Sequence, residues 1–248
     1  MEILAGIRLA AGFYCCFLAY TGAALLLSPL VYAFFRCGKR LPGPVAARSI
    51  MWWYGRGWTR IFRLFARVTV VGCETPLPRP CIITANHQSF FDAYCIGFLP
   101  VQNLVFLVRR WPFGIPFYGL FMRKAGYINT EDADGEAILR QSREALASGA
   151  SLVVFPEGTR SRTGKLGRFH GGAFLLAVAR NVPVVPFCLD GTGAFLRPGE
   201  CIPRKADVRV TALPPVYPEA FAPHGEAAHM AMRREVKRRM NEILVSRR

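Results

Sequence analysis

Cys81-Ile82-Ile83-Thr84-Ala85-Asn86-His87-Gln88-Ser89-Phe90-Phe91-Asp92 is the stretch on which the reading of this chain turns. Its first five residues are a short, mostly apolar run of the kind that forms a buried strand, so His87 stands where a sheet stops. Ser89 is placed to cap a helix whose first turn carries Asp92. Five positions along a regular helix would turn the two side chains apart, but a strand-to-helix turn folds the carboxylate back onto the imidazole. A carboxylate bonded to one ring nitrogen leaves the other to accept a proton from a hydroxyl. His87 and Asp92 are thus a base and its orienter, suited to acyl transfer or hydrolysis. No G-x-S-x-G turn provides them with a serine nucleophile.

A second cluster, Phe155-Pro156-Glu157-Gly158-Thr159-Arg160-Ser161-Arg162, follows directly on another apolar run, residues 151–155. In open α/β sheets ligands collect at the carboxyl ends of strands. Glu157, Gly158, Thr159 and Arg160 form the predicted substrate-binding group. Glu157 can accept hydrogen bonds from substrate hydroxyls, Arg160 can clamp a phosphate with two prongs, and Gly158 lets backbone come close. A surface ion pair is the competing reading of the arginine. A nucleotide loop does not fit: Gly158 is separated from Gly164-Lys165 by five residues instead of four, and Leu166 stands where a Ser or Thr would hold magnesium. A metal centre is not expected either, since there is no HExxH and His87 has one carboxylate nearby in sequence. His170, His224 and His229 lie in polar contexts and carry no assignment.

Working outward, residues 68–71, 104–108, 152–155, 184–189 and 208–213 read as further strands, with helical patterns between several of them. In residues 135–148, Ile138, Leu139, Ser142, Ala145 and Leu146 make a stripe that Gly149 stops. The alternation predicts an α/β fold, a mixed, partly parallel sheet flanked by helices, preceded by an N-terminal membrane-anchoring helical element. The aromatic and basic stretch 109–119 suits either a lipid-side groove or core packing. The tail 226–248 is a basic helix, facing solvent or lipid headgroups.

Residues 9–35 carry no charge. As a helix they extend about 40 Å at 1.5 Å per residue, more than a hydrocarbon core of about 30 Å. The segment must therefore tilt, break or lie partly in the interface, with Gly22 and Pro29 as candidate breaks. A signal peptide fits less well: the run is too long, and no small-x-small site closes it. Arg36, Lys39 and Arg40 follow the run while only Arg8 precedes it, which places the remainder on the cytoplasmic face of the cell membrane. Residues 45–68 read as a second helix. Arg56, Arg60, Arg63 and Arg67 recur on one side, and Trp52, Trp53, Trp58, Ile61, Phe62 and Phe65 lie largely elsewhere. Tryptophan beside arginine suits the headgroup zone; a surface helix packed on the catalytic domain is the alternative. The predicted domains are residues 1–67, anchor and interfacial helix, and residues 68–248, catalytic.

The 248 residues carry 32 Lys and Arg against 16 Asp and Glu, a net charge of +16, while 52% are apolar. Nucleic-acid binding explains the charge but not the hydrophobicity; an anionic membrane surface explains both. Eight cysteines show no CxxC pair and read as reduced thiols.

These residues resemble the glycerophospholipid acyltransferase family, which includes the bacterial 1-acylglycerol-3-phosphate acyltransferases. The resemblance covers residues 65 to 215, in order: Asn86-His87 followed by four residues and Asp92, then Pro112 to Gly119, Phe155 to Ser161, and Val182 to Pro186. It implies transfer of an acyl group from coenzyme A or acyl carrier protein to the free hydroxyl of a lysolipid. No cofactor beyond that co-substrate and no covalent acyl-enzyme are implied. His87 would take the hydroxyl proton, Asp92 would hold the imidazole, Arg160 would bind the acceptor phosphate, and Glu157 and Gly158 would shape the glycerol site. The segments 9–35 and 45–68 are similar to the family's two-helix membrane element. One departure stands out. Members acting on phosphate-bearing acceptors carry an arginine shortly beyond a glycine, where this chain runs from Gly126 to Asp132. A carboxylate there would repel phosphate, and Arg123, Lys124 or Arg162 are the expected substitutes. Lysophosphatidate, giving phosphatidic acid, is the expected acceptor, with another lysophospholipid or a hydroxylated or aminated lipid as alternatives. A lipid ester or thioester hydrolase and a non-catalytic basic membrane-binding protein are the competing functions.

Overall fold

The computed structural model describes residues 2–132 and 134–246. Residue 1, and residues 247 and 248 at the end of the predicted tail helix, lie outside the described residues. Seven strands, β1 (Arg67–Val71), β2 (Ile82–Ala85), β3 (Leu104–Val108), β4 (Ile128–Asn129), β5 (Ser151–Val154), β6 (Val184–Asp190) and β7 (Asp207–Ala212), join in one sheet in the order β1-β7-β6-β2-β5-β3-β4. Among the strand pairs of the described residues, β6 and β7 alone run antiparallel. The sheet is mixed and mostly parallel, as expected. β4 has two residues, too few to leave an alternating pattern in the sequence.

The α-helices among the described residues are α1 (Glu2–Ala33), α2 (Gly43–Phe62), α3 (Asp92–Cys95), α4 (Tyr118–Ala125), α5 (Gly135–Ala147), α6 (Gly172–Arg180), α7 (Thr192–Phe195) and α8 (Ala228–Val245). Alternate residues of the central strands feed two cores. Ile83, Phe106 and Val185 join α1 and α2 on one face, whereas Ile82, Val105 and Val184 join α5, α6 and α8 on the other. β2, covered on both faces, is buried at all four positions, so its sequence reads as a continuous apolar run. Local signals set the helix ends. The Asp134 carboxylate accepts from Ala137 N at 2.6 Å to open α5, and left-handed Gly126 closes α4.

The N-terminal segment departs from expectation in two ways. α1 runs unbroken through Gly22 and Pro29 and continues into a π-helical turn, Phe34–Gly38. Proline lacks the N–H that Leu25 would receive, and the neighbouring Ser28 hydroxyl supplies a donor to that carbonyl at 2.8 Å. α2 stops at Phe62, earlier than residue 68, because β1 already begins at Arg67. Packing joins the predicted anchor to the predicted catalytic segment: Phe13 of α1, 1% exposed, lies against Trp58, Phe91 and Phe195. The close approach of α2 to the turn after α3 needs glycine. A Cβ on Gly97 would come within 2.8 Å of the Gly55 backbone. Farther along α1, Leu26, Leu27, Leu30 and Phe34 stay exposed. Gly6–Gly38 is the one helix among the described residues long and apolar enough to cross a membrane.

α8 forms as expected from the basic tail. Its Arg238 and Arg239 pair with Glu235 at 2.8 and 2.7 Å, on a solvent-facing side.

Candidate active site

β2 and β5 are parallel neighbours, with Thr84 in register with Val154, so their carboxyl ends deliver His87 and Glu157 to the same edge of the sheet. Asn86 first fixes the direction of the outgoing chain. Its amide donates to the Leu189 carbonyl and accepts from the Leu189 N–H, both at 2.7 Å, clamping the end of β2 to β6. Asp92, the first residue of α3 and fully buried, then folds back. Its Oδ2 accepts from His87 Nδ1 at 2.7 Å, Gln88 N at 2.5 Å and Ser89 N at 2.8 Å. This is the turn that the sequence requires if the pair is to meet. With Nδ1 donating to the carboxylate, Nε2 is the nitrogen left for a substrate proton. The imidazole, 22% exposed, stacks on Phe155 with 4.3 Å between ring centroids.

Ser89 does not cap the helix as expected, because α3 begins only at Asp92. Its hydroxyl donates to the Leu196 carbonyl at 2.8 Å and accepts from Phe91 N at 3.3 Å, bracing the same turn from below.

Glu157 also has a different task from the one its sequence context suggests. Its carboxylate is buried and occupied by two backbone donors, His87 N at 2.9 Å and Gly167 N at 2.7 Å. It positions the histidine and does not line the cavity. Ser161 N donates to the His87 carbonyl at 2.7 Å, so both backbone groups of His87 are held by the β5 segment. Burial pushes the Glu157 carboxyl above its ordinary value of 4.5, against the pull of the two N–H donors. An acid raised in this way binds more protons folded than unfolded. Its favourable share of stability is therefore complete below the unfolded value and is lost as pH rises through the folded one. Glu157→Gln should flatten that fall in denaturant titrations across the acid range and lower activity. An unchanged pH slope would show that Glu157 is not its source.

A cavity of about 1040 Å³ opens at this edge, and His87, Gly158, Thr159, Arg160 and Arg162 line it. Gly158 is left-handed, φ +71°, and a Cβ there would sit 3.3 Å from His170 Nε2. Among the described residues, Arg160 and Arg162 form no ion pair and are exposed, so their guanidinium groups are available to an anion. Deeper, the lining is mostly apolar and aromatic, including Trp52, Leu104 and Phe106. Of the two readings of residues 109–119, the groove applies: Trp111, Pro112, Ile115 and Tyr118 face the cavity.

Arg123 and Lys124 are not brought to this cavity. α4 turns Tyr118 and Met122 toward it, one helical turn apart, which directs the next two residues elsewhere. Arg123 donates to the Phe113 carbonyl at 3.1 Å, and Lys124 lies 5.7 Å from the Tyr32 ring centroid. Arg162 is the expected substitute that does reach it. Nor does Asp132 oppose a bound anion. Its carboxylate accepts from Asn129 Nδ2 at 2.5 Å, lies 3.5 Å from Arg110 Nε, and is absent from the lining.

His170, Arg48 and Arg109 line the cavity without having been assigned a role from the sequence. Arg109 was findable: it follows β3, which runs parallel to β5 and so ends at the same edge. His170 comes from the loop before α6 and Arg48 from α2, where it reaches Asn103 just before β3, and no local pattern marks either. Among the described residues, no group of three or more His, Cys, Asp or Glu side chains is arranged to hold a metal ion.

A family model described as Acyltransferase matches residues 67–190, half of the chain. A 1-acyl-sn-glycerol-3-phosphate acyltransferase of Brassica napus, BAT2, chloroplastic, is 40% identical over 160 residues, covering 62% of this chain and 46% of that protein. One from Cocos nucifera is 29% identical over 225 residues, 86% of this chain and 68% of that protein. The chain spans less than half the length of the first relatives it matches, 46%, 42% and 44%. In three dimensions it is similar to the 1-acyl-sn-glycerophosphate (LPA) acyltransferase PlsC from Thermotoga maritima, with a TM-score of 0.78 and 28% identity over 99% of this chain and 97% of that one.

Proposed function

The chain belongs to the acyltransferase family, and on that premise we propose that it moves a fatty acyl group from a thioester donor to the free hydroxyl of 1-acylglycerol-3-phosphate, giving phosphatidic acid. The observation that carries the reading is the Asp92–His87 pair opening onto a cavity with Arg160 and Arg162, unpaired among the described residues, at its rim and a largely apolar interior. His87 Nε2 takes the hydroxyl proton as the oxygen attacks the thioester carbonyl. The tetrahedral adduct collapses with loss of the thiolate, which receives the proton back from the imidazolium. Asp92 holds the ring and stabilises its charged form meanwhile. The nucleophile belongs to the substrate, so neither an acyl-enzyme nor a cofactor beyond the acyl-CoA or acyl carrier protein co-substrate is called for. Arg160 and Arg162 suit the acceptor phosphate, with Gly158 and Thr159 beside them at the glycerol site.

The exposed leucines of α1 fit insertion into a cell membrane, and the cations Arg36, Lys39 and Arg40 that follow it fit a catalytic body on the cytoplasmic face. The surplus of 16 positive charges favours an anionic lipid surface.

The test offers purified protein a panel of lysolipids with acyl-CoA and acyl carrier protein donors and reads products by mass. Phosphatidic acid is expected, and Arg160→Ala should raise KM for lysophosphatidate more than for an uncharged monoacylglycerol. Free fatty acid as the sole product would replace transfer by hydrolysis.

A further inference from the structure

The floor of the cavity holds polarity that a plain hydrocarbon chain does not need. Arg48, 7% exposed and lining the cavity, donates from Nε to the Ala125 carbonyl at 2.7 Å and from Nη1 to Asn103 Oδ1 at 3.0 Å, and no carboxylate pairs with it among the described residues. Tyr127 lines the same space within electrostatic reach of Arg48 and Tyr118. The Tyr127 hydroxyl has no hydrogen-bond partner among the described residues.

The strand registers locate these groups. The Tyr127 ring lies tilted against Phe106, 5.1 Å between centroids, and Phe106 aligns through Val153 with Ile83, four residues before His87. At about 3.3 Å per strand residue this level is about 13 Å from the imidazole. Asn103, which holds Arg48, precedes Leu104, and Leu104 aligns through Ser151 with the residue before Ile82. That level is about 20 Å from His87 by the same measure. Both groups therefore stand along the distal half of an acyl chain whose carbonyl is at the dyad.

The hydroxyl of half-buried Tyr127 and the guanidinium of buried Arg48 would be cut off from water by a chain filling the cavity, which disfavours an all-methylene occupant and favours one that offers an acceptor. We infer that the cavity selects an acyl chain bearing a hydroxyl in its middle or distal part, read by Tyr127 and Arg48. Its use as an acyl site rests on the function proposed above.

Trp52 and Trp111 line the cavity and report occupancy directly, without turnover. The detergent-solubilised full chain is titrated with octadecanoic acid and with the same acid hydroxylated at mid-chain, following tryptophan fluorescence. The hydroxylated acid should bind about tenfold more tightly, the worth of one hydrogen bond at a buried site. Tyr127→Phe should bring the affinity ratio close to one. Equal affinities in the unaltered protein, or a preference that survives Tyr127→Phe, would overturn the inference. The wild-type comparison decides even if the variant fails to fold. Thioesters of both acids are then offered with lysophosphatidate. A binding preference without acyl transfer from either donor would fault the proposed reaction and leave the selectivity intact.

Discussion

His87→Ala should lower acyl transfer by about 10² to 10⁴, the usual worth of a positioned general base, without unfolding the protein. The side chain is partly exposed, and the ties through its backbone, from His87 N to Glu157 and from Ser161 N to the His87 carbonyl, survive the substitution. Asp92→Asn should cost less but still a large share. The amide keeps an oxygen for some of the three donors that face Oδ2, yet it carries no charge to stabilise an imidazolium. Single-turnover assays read by mass, with circular dichroism as a check on folding, separate the two effects. Wild-type rates in His87→Ala would end the assignment of the base.

The second large effect concerns stability. Trp58 is fully buried, with ring centroids of Phe13, Phe17, Tyr20, Phe91 and Tyr94 at 6.0, 5.2, 5.7, 6.1 and 5.8 Å. Truncation to alanine should destabilise the fold by about 3–5 kcal/mol, through lost transfer energy plus the cavity left behind. Its Nε1 is buried without a hydrogen-bond partner among the described residues, so Trp58→Phe removes a penalty along with volume and should cost much less. Denaturant midpoints of the two variants provide the comparison; similar losses for Ala and Phe would mean that the aromatic packing is not what holds this core.

Much of this was legible in the sequence because the relevant signals are local. The apolar run before His87, the second run before Glu157 and the stripe of α5 each carry their own pattern, and two strand ends rich in polar residues mark one edge. What escaped depends on distance or on burial. Glu157 looks like a substrate ligand from its neighbours, and only the parallel register with β2 reveals that it grips the His87 backbone. Asp132 looks like an obstacle to phosphate until Arg110 is found beside it, outside the cavity. Arg123 and Lys124 share a helix with cavity residues but not their face. Pro29 signals a break that a neighbouring serine hydroxyl makes unnecessary.

The two halves of the site have different folding histories. His87 and Asp92 are five residues apart and can meet as soon as one turn forms, whereas His87 and Glu157 are separated by 70 residues. Closing that interval requires β5 to find β2, a long-range parallel pairing of the kind that forms late and slowly. A nascent or partly folded chain can therefore hold the dyad without holding it still.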